Sequence, residues 1–248
     1  MANGIMATLL QQSAEATLMK KLFKDYKRCK TDEQKQAIEF FESRYLGKGC
    51  CCLSFTGKHI AIQDYIAMVN NKCNKMNLKQ RALNKLGLEE AQVKEADPFC
   101  IYGFNFDGVG DAFAKSDNNF LVIENGVAVT AKYDVSWIFC DAKQIYTYTI
   151  TFNMTSDDMV ETTHEFFYED VTCFEMERDV SEDIKERDGC GCGCLKTKNK
   201  VTKSLYISNS LKITVPDAKF SASMEYNPEV VKCINAMKNL VRERKNRN

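Results

Sequence analysis

The sequence predicts an α+β fold in which an N-terminal helical region precedes an antiparallel β-rich region and one C-terminal helix. Three observations predict this arrangement. Apolar residues recur at helical spacing through residues 1–97. From Phe99 the apolar period shortens to two residues, which is typical of half-buried strands. After Asn227 the helical spacing returns.

The same change of period divides the chain into two parts. We assign residues 1–97 to a helical region and residues 98–248 to the β-rich region with its final helix. The 248 residues suffice for one large domain or two ordinary ones. Only 12 glycines and 3 prolines occur, so no segment has the composition of a flexible linker.

Local signals mark where the helices of the first region begin and end. An incomplete apolar stripe through Leu18 and Leu22 predicts a first helix. A capping box opens a second helix, an apolar stripe from about His59 predicts a third, and an asparagine cap and a glycine stop bound a fourth. The residues that carry these signals are Thr31 and Gln34 for the box, Gly47 for the end of its helix, Asn77 for the cap and Gly87 for the stop.

Alternating apolar and polar residues predict a meander of seven or eight strands after residue 98. The clearest connection is Asn125–Gly126, because this dipeptide is preferred in two-residue hairpins. A second turn is predicted at Asn209–Ser210, between two short strands. Trp137 shares a predicted strand face with Phe139, and we expect it to be buried in the core of the β-rich region.

The order of these elements resembles a family of small β-barrels. The run from Phe166 to Thr172 is similar to the strand pattern of pleckstrin-homology-like (PH-like) barrels in bacterial proteins, and the final strand pair and helix follow the same order. The resemblance covers about residues 99–247 and implies an antiparallel PH-like β-barrel with a C-terminal amphipathic helix. The helix stripe expected to close the barrel consists of Val230, Ile234, Met237 and Val241. The N-terminal helices resemble no family.

The resemblance implies an interaction module, and the residues offer little for catalysis. Only His59 and His164 are histidines, and they do not have metal-ligand spacing. The Gly-x-Gly of residues 107–111 lacks a third glycine and precedes no predicted helix, so it does not predict a phosphate-binding loop. We therefore expect a non-catalytic module that binds a protein or peptide.

Charge narrows the classes of partner. The 34 basic and 34 acidic residues cancel, so no nucleic-acid partner is expected. A phosphoinositide is also not expected, because residues 105–124 contain Lys115 as their only base, against four acids. Residues 157–188 hold 13 acids and 3 bases, whereas the final 21 residues are net basic. One interpretation is that the acidic stretch forms a solvent-exposed face. The other is that it docks a basic partner or the chain's own basic termini.

Two cysteine clusters suggest a different function. Cys190, Cys192 and Cys194 alternate with glycine, which lets three thiolates converge on a soft ion such as zinc or copper(I). The alternative function is thus thiol-based metal binding or metal sensing by these three cysteines, and a fourth thiolate from the triplet 50–52 requires that the two loops meet. S-acylation and an inert loop are the other interpretations. We expect the run to be a mobile, exposed loop between two strands.

The 12 cysteines also bear on location. No secretory signal is apparent at the N-terminus, so we expect free thiols in a reducing compartment and a cytoplasmic protein. Cys140, Cys173 and Cys233 are predicted to be small core residues. No apolar run approaches the roughly 18 residues of a membrane-spanning helix, so no transmembrane segment is expected. The oligomeric state stays open.

Overall fold

The structure is a computed structural model that describes residues 17–46, 59–93, 97–109, 119–187 and 200–246. In these ranges the helices are α1 (residues 17–26), α2 (Asp32–Leu46), α3 (Ile62–Lys75), α4 (Leu78–Leu86) and α5 (Pro228–Lys245). The strands are β1 (Phe99–Phe104), β2 (Leu121–Glu124), β3 (Val127–Thr130), β4 (Lys132–Cys140), β5 (Gln144–Asn153), β6 (Met159–Phe167), β7 (Cys173–Arg187), β8 (Lys200–Val215) and β9 (Ala218–Met224). The predicted α+β class is confirmed.

Two of the predicted helix-end signals have the expected geometry, a third does not, and Gly47 lies outside the described residues. Thr31 and Gln34 exchange the two hydrogen bonds of a capping box at the start of α2, with N···O distances of 3.2 and 3.0 Å. Gly87 ends α4 in the left-handed region, with φ of +66°. Asn77 precedes α4, but its side chain makes no capping hydrogen bond.

A four-stranded antiparallel sheet of order β1-β4-β5-β6 forms the centre of the molecule. In the sequence, the β2–β3 hairpin lies between β1 and β4, but it forms a separate two-stranded sheet. It turns at Asn125–Gly126, where φ is +53° and +79°. Positive φ at both turn residues is the geometry that this dipeptide predicts. Strands β7, β8 and β9 form a separate three-stranded antiparallel sheet.

One face of the central sheet packs against the N-terminal helices. Tyr65 of α3 is fully buried, stacks on Phe40 of α2 at 4.3 Å between ring centroids, and donates a hydrogen bond to the Thr130 carbonyl. Alternate residues of β4 and β5 supply the sheet side of this first core. The fully buried aromatic residues that share it are Phe23, Phe40, Phe41, Tyr65, Phe120, Tyr133, Phe139, Tyr148 and Phe152.

The opposite face of the central sheet forms a second core with the three-stranded sheet and α5. Ile234, Met237 and Val241 of α5 are buried in it, as the apolar stripe of that helix predicts. The sheet residues that meet them are Ile101, Ile138, Cys140, Ile145, Phe166, Leu211, Ile213, Phe220, Ala222 and Met224. The inner strands β4 and β5 are therefore covered on both faces, whereas the edge strand β6 stays mostly exposed.

The strands do not close into the predicted barrel. They form sheets of four, three and two strands in the described part of the chain. A barrel removes a sheet's exposed edges and encloses its one apolar face. Here the helical region covers one face and the three-stranded sheet with α5 covers the other, so the apolar residues are buried without closure.

The strand boundaries near the C-terminus also differ from those predicted. β8 runs without a break through Asn209–Ser210, where a turn was predicted. β7 continues through the mostly polar residues 178–187, which were not predicted to be a strand. β9 was not predicted at all. Pairing between β7 and β8 holds these residues extended, and such pairing overrides local turn preference.

Trp137 does not occupy the core that we expected. Its side chain is only partly buried, and it lies on the helical side of β4 with its ring 6.0 Å from that of Phe139. The neighbouring Ile138 points into the second core. Trp137 shares its strand face with Phe139 as predicted, but the expected full burial is not found, because this face meets helices that leave the indole ring partly exposed.

A charged cluster joins α4 to the central sheet. Glu161 of β6 accepts hydrogen bonds from Tyr148 at 2.7 Å and Lys85 at 2.8 Å, and it also pairs with Arg81. These contacts, of which the Lys85 hydrogen bond has the largest effect, lower the pKa of Glu161 from 4.5 to about 2. The glutamate side chain is 17% exposed, so it is shielded from much of the screening by water.

Glu161→Gln removes this charge with little change in shape. Because the folded pKa lies below the unfolded one, the carboxylate stabilises the fold above pH 4.5, and this stabilisation is lost as the pH falls towards about 2. We expect urea unfolding at pH 7 to show a loss of about 1–2 kcal/mol, and the difference from wild type to shrink as the pH drops through that window. Glu165→Gln on the same strand is the control, and an equal loss in both variants would contradict the assignment.

Candidate functional site

A groove opens where the end of β9 meets β1 and the start of α5. Its volume is about 280 Å³. β1 supplies one tyrosine, the β9–α5 connection supplies a glutamate and a second tyrosine, and α5 supplies the remaining wall. The lining residues are Tyr102, Glu225, Tyr226, Asn227, Pro228 and Val230.

Close backbone contact between β1 and β9 sets the position of the groove. The Glu225 N–H donates to the Tyr102 carbonyl at 2.7 Å. A Cβ atom on Gly103 would lie 2.9 Å from the backbone of Met224, which is closer than real Cβ atoms approach. Glycine at this position therefore allows β9 to cross β1 at a distance that brings Glu225 beside Tyr102.

The wall contributed by α5 is held by its helix cap. The Asn227 side chain accepts a hydrogen bond from the Glu229 N–H at 2.9 Å, and Pro228 occupies the first position of the helix. Val230 packs against the second core. The cap and this apolar contact fix the chain on both sides of Tyr226.

The groove contains a carboxylate with no cationic partner in the described part of the chain. Glu225 accepts a hydrogen bond from Tyr133, and no lysine or arginine of the described ranges pairs with it. Desolvation by the groove wall raises the pKa of Glu225 above 4.5. Burial, and then the charge of Glu225, raise the pKa of Tyr102 as well. The site is therefore negative and partly desolvated.

Two tyrosine rings of the groove are open to solvent. Tyr102 is 42% exposed and Tyr226 is 66% exposed. The Tyr102 ring lies nearly parallel to that of Tyr133, at 6.4 Å between centroids. Aromatic faces next to a carboxylate attract cations, because the ring quadrupole and the charge act in the same direction.

A buried aspartate anchors the chain just before the groove. Ser223, two residues before Glu225, donates to Asp134 of β4 at 2.7 Å. The Asp134 carboxylate is 4% exposed, and it also accepts hydrogen bonds from Thr151 at 2.7 Å and from the Asn105 amide at 2.9 and 3.0 Å. One buried side chain thus joins β4 to β5, to β9 and to the residue that follows β1.

Asp134→Asn tests this anchor. The variant places an amide donor against neighbouring donors, so at least one of the four hydrogen bonds is lost in a buried site. We expect denaturant unfolding to show a loss of about 1–3 kcal/mol. Asp217→Asn, in the exposed β8–β9 turn, should cost less than about 0.5 kcal/mol. Equal stability of the two variants would show that the Asp134 carboxylate does not hold the strands together.

The predicted metal ligands lie outside the described residues. This applies to Cys190, Cys192 and Cys194 and to the triplet 50–52. The strands that flank the first cluster, β7 and β8, pair with each other as far as Arg187 and Lys200. In the ranges that the structure describes, no group of three or more histidine, cysteine or acidic side chains could hold a metal ion. Metal binding by the cysteine run stays a prediction.

The three cysteines predicted as core residues have different environments. Cys140 is buried in the second core, as expected. Cys173 is half-buried, and Cys233 is exposed on α5, so the prediction is wrong for Cys233. Cys233 directly precedes Ile234 of the buried stripe, but its side chain lies on the exposed side of the helix. The described cysteines are all free thiols.

No motif in the sequence marks the groove residues as a binding site. β9 was not recognised, and without it nothing connects Glu225 to Tyr102. One local signal was present, since Tyr226 directly precedes the helix cap Asn227, where an apolar residue commonly packs back onto its own helix. The exposure of Tyr226 shows that it instead faces the groove and solvent.

Comparison with known proteins reveals no relative of this chain. The chain matches no protein-family model, no curated protein and no solved structure. None of the helices in the described ranges combines the length and the apolar character needed to span a membrane. The chemistry of the groove is therefore the basis for a functional assignment.

Proposed function

We propose that the protein is a non-catalytic interaction module that binds a basic segment of a partner protein or peptide in the groove of Tyr102, Glu225 and Tyr226. The observation that carries this proposal is the Glu225 carboxylate, which has no cationic partner among the described residues and shares a groove with two exposed tyrosine rings. Exposed tyrosines held in a fixed frame are common anchors of protein interfaces.

The size of the groove favours recognition of a single side chain. Its volume of about 280 Å³ is below the usual range for drug-sized ligands, which begins at roughly 300 Å³. An arginine fits its chemistry best, because a planar guanidinium stacks on an aromatic ring and pairs with a carboxylate through two N–H groups. Lysine can make the same charge interaction without the planar stacking.

The groove is preorganised, which favours binding. The Asp134–Ser223 hydrogen bond, the Gly103–Met224 contact and the Asn227 cap fix the chain on either side of Glu225. A preformed site loses less conformational entropy when a ligand binds. Its negative charge also repels phosphate groups, which supports the expectation that the partner is not a phosphoinositide.

The PH-like resemblance and the cytoplasmic location belong to the same proposal. A four-stranded sheet, a three-stranded sheet and a C-terminal amphipathic helix in this order support the PH-like assignment, although the barrel closure that it implies is absent from the described strands. The free thiols of the described cysteines support a reducing compartment. These two assignments add the expectation of an intracellular protein partner.

Arginine recognition can be tested with a short peptide. The probe is an acetylated, amidated Gly-Ser peptide with one central arginine, and the reference peptide carries citrulline, its neutral counterpart, at the same place. We expect ¹H–¹⁵N shifts at Tyr226 and Val230 with the arginine peptide only. Glu225→Gln or Tyr226→Ala should weaken binding about fivefold or more, which corresponds to about 1 kcal/mol.

Glu243→Gln, near the far end of α5, is the matched control and should bind like wild type. Equal binding of the arginine and citrulline peptides, or wild-type affinity in the Glu225→Gln variant, would refute the proposed recognition. Chemical shifts of the unliganded variants, compared away from the groove, separate a loss of binding from a loss of fold.

The pH dependence of peptide binding provides a second test. The Glu225 carboxylate must be charged to attract the guanidinium, and its pKa is raised by desolvation above 4.5. Affinity should therefore decline as the pH falls from neutrality, and the decline should begin at a higher pH than an ordinary glutamate would cause. In Glu225→Gln the residual affinity should not vary over the same range. A wild-type affinity that is flat down to pH 4.5 would exclude Glu225 as the recognising group.

A further inference from the structure

Strand β6 forms one edge of the four-stranded sheet, and half of its backbone groups face away from β5. Two hydrogen bonds at the ends of the ladder fix which half. The Asn153 N–H donates to the Asp158 carbonyl at 3.0 Å, and the Tyr168 N–H donates to the Lys143 carbonyl at 3.2 Å. Because antiparallel residues alternate between bonding to their partner strand and facing away from it, the even-numbered residues of β6 bond to β5. The outward N–H and C=O groups belong to Met159, Glu161, Thr163, Glu165 and Phe167.

This open edge lacks the features that usually prevent a further strand from adding to a sheet. Natural edge strands carry lysine or proline, contain a bulge, or are very short. β6 has nine residues without lysine or proline, and its pairing with β5 is continuous. In the described part of the chain, no hydrogen bond reaches the outward backbone groups of residues 159–167. A second strand can therefore pair along the whole edge.

The residue order of β6 indicates which strand fits this edge. The sequence Met-Val-Glu-Thr-Thr-His-Glu-Phe-Phe has one pattern in both directions: two apolar residues, a glutamate, three polar residues, a glutamate and two apolar residues. A two-fold axis at Thr163 sets a second β6 antiparallel to the first, with all outward groups paired. Met159, which is 40% exposed, then meets Phe167 of the copy, which is 51% exposed. Both apolar side chains lose water, and the two Thr163 side chains form a favourable cross-strand pair.

The same register sets Glu161 opposite Glu165 of the copy, and α4 supplies the charge that this pair needs. Arg81 and Lys85 both pair with Glu161, so this part of the face carries one more cation than anion. Glu165 has only the Gln144 amide, at 3.5 Å, as a hydrogen-bond partner in the described ranges. Two glutamates directly opposite each other repel. Here the copy's Glu165 makes the number of acids equal to the number of bases.

The acids just beyond the ends of β6 act against this pairing. Asp157 and Asp158 precede the strand, and Glu169 and Asp170 follow it. When the register is continued, the first two approach the last two of the copy, although they lie in a turn and a 3-10 helix, outside the ladder. Their repulsion weakens the association, and salt screens it. Pairing through β6 is therefore weak and depends on concentration.

We propose that the open edge of β6 pairs with β6 of a second copy of this chain around a two-fold axis at Thr163. The two central sheets then join into one sheet of eight strands. In the strand order of the central sheet, β6 lies at the edge opposite to β1, which carries the groove. The pairing is therefore separate from the groove and does not depend on peptide binding.

Amide hydrogen exchange of the full chain, read by ¹H–¹⁵N NMR at about 20 and about 500 µM, tests both the association and its register. The N–H groups of Glu161, Thr163 and Glu165 should exchange rapidly at the lower concentration and about tenfold more slowly at the higher one, because only the copy can bond them. The N–H groups of Thr162 and His164 bond to β5 and should be protected at both concentrations.

Sedimentation velocity over the same range, with a reducing agent because the described cysteines are free thiols, measures the size of the species. We expect the wild-type coefficient to rise from monomer towards dimer. Thr163→Pro removes an outward N–H and leaves the β5 ladder intact, and Thr163→Lys sets like charges together at the axis, so both should stay monomeric. Ser221→Lys places the same charge on an exposed residue of the edge strand β9 and should behave like wild type.

Glu165→Lys tests the charge balance and should weaken the dimer about tenfold, because a third cation then meets Arg81 and Lys85. Spectra of the variants at the lower concentration separate a loss of association from a loss of fold. A wild-type protein that stays monomeric at the highest concentration would overturn the proposal. Dimers that persist in Thr163→Lys, or dimers in which the outward N–H groups still exchange rapidly, would overturn it as well.

Discussion

The inner strands β4 and β5 of the central sheet lose water from both of their faces, and the other elements take their positions from this double burial. Both strands are almost continuously buried. Helices α1 to α4 exclude water from one face through a cluster of aromatic rings. The sheet β7-β8-β9 and α5 exclude it from the other. Hydrophobic burial on this scale is the main favourable contribution to folding.

Double burial places polar side chains in the interior, and the fold satisfies most of them locally. Ser136 and Thr149 bond each other at 2.7 Å on neighbouring strands. Asp134 accepts four hydrogen bonds from three residues. A buried carboxylate is costly unless such donors surround it, so its contacts restrict how β9 can lie on the central sheet. The buried network thereby helps to determine where the surface groove forms.

The groove and the distal part of the β7–β8 hairpin (residues 179–187 and 200–208, called the arm) both lie where the covering of the sheets ends, but they differ in stability. The groove is bounded by a helix cap, a close backbone crossing and a buried hydrogen bond. Among the described residues, each strand of the arm pairs with the other alone, and Tyr206 stacks on Phe106 of the body. Elements with few buried contacts open more readily than core elements. The groove therefore fits recognition by a rigid surface, whereas the arm gains stability when it is covered.

Local features of this chain could be predicted from its sequence because the interactions that create them span only a few residues. The capping box Thr31–Gln34, the hairpin turn Asn125–Gly126 and the helix end at Gly87 all have the predicted geometry. The apolar stripe of α5 likewise identified the residues that it buries. Periodicity reports which residues avoid water, and it determined the α+β class for that reason.

What meets each apolar face is a long-range property, and periodicity carries no information about it. The alternation along β4 is the same whether helices or a second sheet cover it, so it placed Trp137 on the face of Phe139 but did not show that helices cover this face and leave Trp137 only partly buried. Cross-strand pairing keeps Asn209–Ser210 extended against its local turn preference. The sequence by itself therefore determined the helices, the main hairpin and the mixed class. Only the tertiary structure decided the open sheets, the arm and the meeting of Glu225 with Tyr102, because these depend on contacts between residues far apart in the chain.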